Sequence, residues 1–366
     1  MQHLRFPSIN QFRTVVKNVR DRSNFHGIPL PKIIFNGSVK LHGTCSSVIK
    51  DPRNGEIWCQ SREQIITPEN DNAGFASFIS ELSGRGIDIY FNIAAGVYGM
   101  NNLKPGDLIG IYGEWCGRGV QKGVAINQLS KRFVIFGIRI YTPAEITNDE
   151  DEDDWSSSVW FSPVQLIRTQ ELYEKELSET IGSSDNLIFS IQKFQTWTIE
   201  IDFAHPELMQ NKLVEITDEV ERCCPVGKAF GVDGVGEGVV YRAVSKCEFK
   251  TSDLIMKIKG EKHSDTKVKK TATVDIEKVN SINEFASNVV TDHRLEKMIE
   301  KLKESGKEVD IKNTGEFLKL VGADVLKEET DTIEASGLDR KTIMPAVNNS
   351  AKQWYLKFIN DFIMKG

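Results

Sequence analysis

The pentapeptide Lys40-Leu41-His42-Gly43-Thr44 follows directly on a run rich in Ile, Phe and Val. Such a run is expected to be a strand, which leaves the lysine at the lip of a sheet with a glycine turn just beyond. A ligand can approach the backbone there. Taken alone, the lysine has a plainer fate, since most strand-end lysines are merely solvated. Further along, Ser61-Arg62, Tyr112-Gly113-Glu114, Phe136-Gly137-Ile138, Glu237-Gly238-Val239-Val240 and Lys257-Ile258-Lys259 each put a charged or aromatic residue on or beside a predicted strand. Lys257 and Lys259 alternate with Met256 and Ile258, so both point to one strand face. Arg62 carries a fork of donors suited to a phosphate or ribose oxygen.

These residues need elements to hold them. The spacing predicts strands over 32–40, 45–50 and 57–62, the last two joined across Asp-Pro-Arg-Asn-Gly, whose Asn54-Gly55 is a turn signal. A helical stretch over 73–98, broken near Gly84 and Gly86, precedes strands at 107–115 and 133–141. The acidic segment 148–154 reads as a solvated loop. A helix is expected over 205–222, then strands at 238–243 and 253–260. After residue 262 a charged connector gives way to helical spacing over 294–305 and 315–329, and Trp354, Phe358, Ile359, Phe362 and Ile363 form a further apolar stripe. The expected fold is α+β over 1–262, antiparallel sheets with flanking helices, followed by a small all-helical C-terminal domain over 263–366.

Composition limits the function classes. The 366 residues are 40% hydrophobic and 27% charged, with a formal net charge of −6, so a nucleic-acid site must be a concentrated patch. No Cys-x-x-Cys pair occurs among the six cysteines, so a zinc ribbon or thioredoxin-type motif is not supported. The N-terminus lacks a signal-peptide core, and no apolar run reaches the roughly 20 residues of a membrane span. A reduced, soluble, cytoplasmic protein with no membrane partner is expected. The glycines of 231–240 suggest a dinucleotide fingerprint but precede a strand and not a helix, so that reading fails.

In order and strand context, the segments from Lys40 to Lys259 resemble the six-motif signature of covalent nucleotidyltransferases, the superfamily of DNA ligases, RNA ligases and mRNA capping enzymes. Within it the detail resembles the RNA ligase 2 family, which has a Lys-x-His-Gly-Thr first motif where DNA ligases and capping enzymes usually have Lys-x-Asp-Gly. His42 stands in the diagnostic place, and residues 113–124 resemble the family's third-motif region. The helical C-terminal pattern fits as well, because DNA ligases and capping enzymes typically follow the last strand motif with an OB domain. The chain departs from the family at Cys45, where an Asn is common, and a thiol cannot supply the amide's paired donor and acceptor.

The resemblance implies an ATP-dependent RNA ligase. Lys40 would attack the α-phosphorus of ATP to give covalently bound AMP. A 5′-phosphate of RNA would then form AppRNA, and a 3′-hydroxyl would displace AMP, at nicks in duplex RNA or at other breaks. The attacking amine must be neutral, although a lysine ordinarily titrates near about 10.4; Lys257 and Lys259, aimed at Lys40, would lower that value and neutralise phosphates. Implied nucleotide contacts are Lys40, Leu41, His42, Gly43, Arg62, Glu114 on the ribose, Phe136 stacked on adenine, Glu237, Lys257 and Lys259. Glu237 would organise Mg2+ or Mn2+, and His42 would orient the phosphate or assist proton transfer. RNA binding would rest on phosphate contacts, with Lys257, Lys259, Lys262, Lys267, Lys269 and Lys270 as candidates. A monomer is expected, and a phage or viral source is compatible with the family. The competing readings are a DNA ligase, a GTP-using capping guanylyltransferase and a non-catalytic RNA-end-binding protein.

Overall fold

The apolar run forms strand β2 (Lys32–Lys40), in which Ile33, Phe35 and Val39 turn into the core. Full burial of a side chain such as Phe35 contributes about 1.5–3 kcal/mol. In the computed structural model, which describes residues 1–82, 86–143, 159–180, 187–244, 249, 251–264 and 282–363, β2 lies in a five-stranded sheet. Its neighbours are β10 (Thr196–Asp202) on one side and β11 (Gly238–Ala243) on the other, followed by β12 (Ile255–Lys259) and the short β1 (Asn10–Gln11). All pairings are antiparallel except that of β1 with β12.

The second sheet runs β5 (Ile65–Ile66), β4 (Ile57–Ser61), β3 (Thr44–Lys50), β6 (Leu108–Cys116), β7 (Arg132–Tyr141) and β8 (Val159–Trp160), with β9 (Ile188–Ser190) parallel to β7. Strands β6 and β7 are buried along nearly their whole length, as near-continuous apolar strings require. The expected β3–β4 hairpin is present, but its connection is longer than a two-residue turn: the Gly55 N–H donates to the Asp51 carbonyl at 2.9 Å, and the Asp51 carboxylate accepts from Arg53. Because β2 and β3 belong to different sheets, Leu41-His42-Gly43 is the crossover between them. The two sheets therefore meet at the first motif.

Flanking helices cover the outer faces. Helices α1 (Phe12–His26) and α5 (Glu207–Arg222) bury Val15, Val16, Val19, Leu213, Ile216 and Val220 against the first sheet. Helices α2 (Phe75–Glu81), α3 (Gly86–Tyr98) and α4 (Pro163–Thr180) pack on the second; a short helix α6 (Pro225–Ala229) follows α5. Helices α1 and α4 and strands β9 and β10 have no counterpart in the expectation from sequence. In α1 the apolar residues do follow helical spacing, yet three of them are β-branched valines, which by themselves favour strand.

The C-terminal helices α7 (Ile282–Val289), α8 (Asp292–Glu304), α9 (Thr314–Glu328), α10 (Thr330–Ser336) and α11 (Arg340–Ile363) enclose their own core around Phe285, Met298, Phe317, Val321 and Tyr355. Of the expected terminal stripe, Ile359 is buried and Trp354 and Phe358 pack against this core; the side chains of Phe362 and Ile363 lie outside the described residues. These helices dock on α1 through buried charges. Arg13 donates to Thr332 at 3.0 Å and to Glu329 at 3.3 Å, and Arg294 donates to the other Glu329 oxygen at 2.8 Å. Glu329 and Arg294 have no exposed side-chain surface, so each charge depends on its partner.

The result is an α+β fold of antiparallel sheets with flanking helices and a helical C-terminal region, as expected. The acidic segment 148–154, Gly84, Cys247, Lys267, Lys269 and Lys270 lie outside the described residues. Among those described, no helix is long and apolar enough to cross a membrane, and Cys45, Cys59, Cys116, Cys223 and Cys224 are free thiols.

Candidate active site

Antiparallel pairing brings three motif segments abreast. Gly238 is opposite Lys40 on one side and opposite Lys259 on the other, so Lys40 and Lys259 flank Glu237, the residue just before β11. Gly238 permits this. Its φ is 152° and a Cβ would stand 2.1 Å from the Ile258 carbonyl oxygen, so β11 and β12 could not approach as closely with any side chain there.

The Lys40 Nζ donates to Glu237 Oε2 at 2.7 Å, and Lys259 Nζ lies 3.3 Å from Glu237 Oε1. Glu237 is 2% exposed. Burial alone would push its carboxyl up, but Lys40, Lys259 and His42 together hold it well below the usual carboxylate range. It is a fixed anion between two ammonium groups. His42 Nδ1 is 3.7 Å from the same carboxylate, and burial, with Lys40, His263 and Lys259 nearby, lowers the imidazole to about 4 against the pull of Glu237. His42 is accordingly neutral at pH 7, and its ring lies against those of His263 and His293.

Glu114 belongs to the opposite sheet, beside Cys45 in register, and accepts the Gly43 N–H at 2.9 Å. It clamps the crossover that carries Lys40. Gly43 is needed there because a Cβ would stand 2.3 Å from the Trp115 carbonyl oxygen; close packing of β6 accounts for this glycine. Burial pushes the Glu114 carboxyl up to about 7 despite Lys40. The Cys45 thiol is likewise pushed up to about 12 by burial and stays protonated at neutral pH.

A cavity of about 290 Å³ gathers most of the expected residues: Lys40, Leu41, His42, Gly43, Arg62, Glu114, Phe136, Glu237, Lys257 and Lys259 all line it. Phe136 meets Phe6 edge-on, with centroids 4.8 Å apart, and leaves an apolar lining on that side. Lys262 is exposed on the segment after β12 and is not among the lining residues. Lys257 differs from the expectation that it aims at Lys40. Its Nζ is 3.0 Å from Glu328 of α9, whose other oxygen accepts from Gln11 at 2.7 Å.

A further wall comes from α8, for which the sequence predicts only a helix. His293, Lys297, Glu300, Lys301 and Glu304 of α8 line the same cavity, as does Glu328. Thr44 donates to Glu304 at 3.0 Å, and Gln121 donates to Glu300 at 2.5 Å. The polar residues of α8 recur at spacings of three and four, a pattern that marks a shared face and not what that face lies against.

A divalent ion fits this site only together with a ligand. Among the described residues no group of three or more His, Cys, Asp or Glu side chains is arranged to hold one. Glu237 offers one buried carboxylate whose oxygens already meet two ammonium groups, so phosphate oxygens would have to complete a coordination shell.

The family model for RNA ligase matches residues 35–259, from within β2 to the end of β12. Structures of a Naegleria gruberi RNA ligase are similar at low identity: a lysine-to-alanine mutant with ATP and Mn has 12% identity and a TM-score of 0.39, covering 72% of this chain and 58% of that one. The same ligase with PPi gives 14% identity and a TM-score of 0.36, covering 72% and 61%. The chain thus spans about three-fifths of the length of those structures. No curated protein sequence matches it. The family match extends over more than half of the 366 residues and takes in every strand that carries a motif, and on that ground the chain belongs to the RNA ligase family.

Proposed function

We propose that the chain is an ATP-dependent RNA ligase acting through lysyl-AMP and AppRNA. The observation that carries this reading is the convergence of Lys40 and Lys259 on the buried Glu237 carboxylate, inside a cavity with an apolar lining on one side. An amine held at a fixed point beside a second lysine is what displacement at phosphorus needs: positioning and charge stabilisation. Lys40 Nζ first gives up its ammonium proton; the neutral amine then attacks the α-phosphorus of ATP and releases a second proton as pyrophosphate departs. The AMP then passes to a 5′-phosphate of RNA, and the 3′-hydroxyl displaces it to close the phosphodiester.

Phe136 with Phe6 offers ring surface to adenine, and Arg62 offers a bidentate donor to phosphate or ribose. Lys257 and Lys259 neutralise phosphate charge. Glu114 holds the crossover and is the acid closest in sequence pattern to a ribose contact. Neutral His42 orients the adenylate. Glu237 would hold Mg2+ or Mn2+ jointly with phosphate oxygens, and the bound ion would supply further charge neutralisation. Residues 1–262 act as the nucleotidyltransferase domain and 263–366 as a helical domain that helps grip RNA.

The test is incubation with α-labelled ATP or GTP, followed by assays on nicked duplex RNA, single-stranded RNA and matched DNA. ATP should label the wild-type chain, and Lys40→Ala should abolish the label. Transfer of GMP, or equal labelling of both proteins, would overturn the ligase reading.

A further inference from the structure

Helix α8 has two faces of different chemistry. Leu295, Met298, Ile299 and Leu302 are buried among the C-terminal helices, whereas Lys297 and Lys301, one turn apart, line the cavity that holds Lys40. At the N-terminal end of α8, the His293 ring lies 5.9 Å from that of His42. At its C-terminal end, Glu304 accepts from Thr44 at 3.0 Å. The helix therefore runs along the crossover that follows Lys40, with the two lysines between those contacts.

Lys297 and Lys301 are held on one carboxylate. Their Nζ atoms lie 3.2 and 3.7 Å from Asp324 Oδ1, and Arg294 Nε lies 3.1 Å from Oδ2. A single anion thus fixes three cations, and Arg294 is itself anchored on Glu329, which also takes Arg13. The lysines are tied through buried charges to α1, so their position over the cleft is built into the docking of the helices.

Displacement at phosphorus places the attacking and leaving atoms roughly in line. Lys40 is presented from the end of β2, in the sheet that also supplies Glu237 and Lys259, so the leaving oxygen departs on the side of the α-phosphorus opposite Nζ. Lys297 and Lys301 line the same cavity from α8, outside that sheet. We infer that Lys297 and Lys301 form the subsite for the β- and γ-phosphates of ATP, so that the C-terminal helices take part in forming lysyl-AMP. This rests on the lysyl-AMP reading. The Nζ–phosphorus bond forms as the bond from the α-phosphorus to the bridging oxygen breaks; that oxygen leaves with the electron pair as pyrophosphate, and Nζ releases a proton.

Enclosure favours a small triphosphate over a polymer: the lysine side chains are only 27% and 31% exposed. Glu300 and Glu304 line the same cavity but are turned to Gln121 and Thr44. Burial pushes both carboxyls up, Glu300 to about 7, which weakens their repulsion of phosphate.

The experiment is a Lys297→Ala/Lys301→Ala double variant in the full chain, with Lys297→Arg/Lys301→Arg as the conservative control and a melting curve for each. Three readouts are compared: the ATP KM for self-adenylation, release of AMP as ATP when the adenylylated protein meets inorganic pyrophosphate, and sealing of pre-adenylated RNA, which uses no pyrophosphate. Loss of two phosphate contacts should raise the ATP KM about tenfold or more and slow the pyrophosphate reaction about as much. Sealing should fall far less, and arginine should restore the first two. Wild-type behaviour in the first two assays, or loss confined to sealing, would overturn the subsite and assign the lysines to RNA or to neither. A double variant that melts early and is not restored by arginine would show a structural role and overturn it too. If wild type itself takes no label from ATP, the ligase reading fails first and this inference falls with it.

Discussion

Lys257 on β12 and Glu328 on α9, 71 residues apart, are joined by a 3.0 Å ion pair in the lining of the Lys40 cavity. A lysine proposed to meet nucleotide phosphates is thus met by a carboxylate of the C-terminal helices. Phosphate must compete with that carboxylate. Glu328→Gln should lower the ATP KM for self-adenylation by about threefold to tenfold, within the range of one charge-assisted contact. An unchanged or raised KM would mean that the pair positions Lys257 and does not compete.

Glu237 stands between two ammonium groups while almost fully buried. Removing one side of a buried pair strands the other, at a cost of about 3–5 kcal/mol. Glu237→Ala should lose that order of stability in urea denaturation and about 100-fold or more in self-adenylation. A variant of wild-type stability would show that water replaces the carboxylate without penalty.

The Glu114 carboxyl is raised from 4.5 to about 7 by burial. The folded protein therefore binds a proton that the unfolded chain releases between pH 4.5 and 7, and this group's contribution to stability falls as pH rises through that window. At about 1.4 kcal/mol per pH unit the loss is about 3 kcal/mol. Glu114→Gln, which still accepts from Gly43, should be more stable than wild type at pH 7.5 and show a flatter stability curve between pH 5 and 7. Parallel wild-type and variant curves in that range would contradict the shift.

Arg13 reaches Glu329 and Thr332 from α1, and Arg294 holds the other Glu329 oxygen. Arg13→Met removes one of the two cations that face a fully buried carboxylate. Stability should drop by about 3 kcal/mol, and a second change, Glu329→Gln, should recover part of it because the stranded charge is then gone. Additive losses in the double-mutant cycle would refute the coupling.

How much of this was legible from sequence follows from what local patterns encode. The period-two alternation of Met256, Lys257, Ile258 and Lys259 assigns both lysines to one face of β12, and both do line the cavity. The apolar run ending at Lys40, the strands at 107–115 and 133–141, and the helices near 205–222 and 315–329 are likewise local matters of side-chain period and turn chemistry. Pairing is not local. Glu237 and Glu114 are both acids beside predicted strands, and nothing in their neighbourhoods says that one would take Lys40 while the other held the Gly43 N–H. That was decided by strand register across 197 and 71 residues. Nor does the pattern of α8 say what its charged face would meet, because helical spacing marks which residues share a face and leaves open what that face lies against. The packing of the C-terminal helices on α1, through Arg13 and Glu329, turned that face into a wall of the Lys40 cavity.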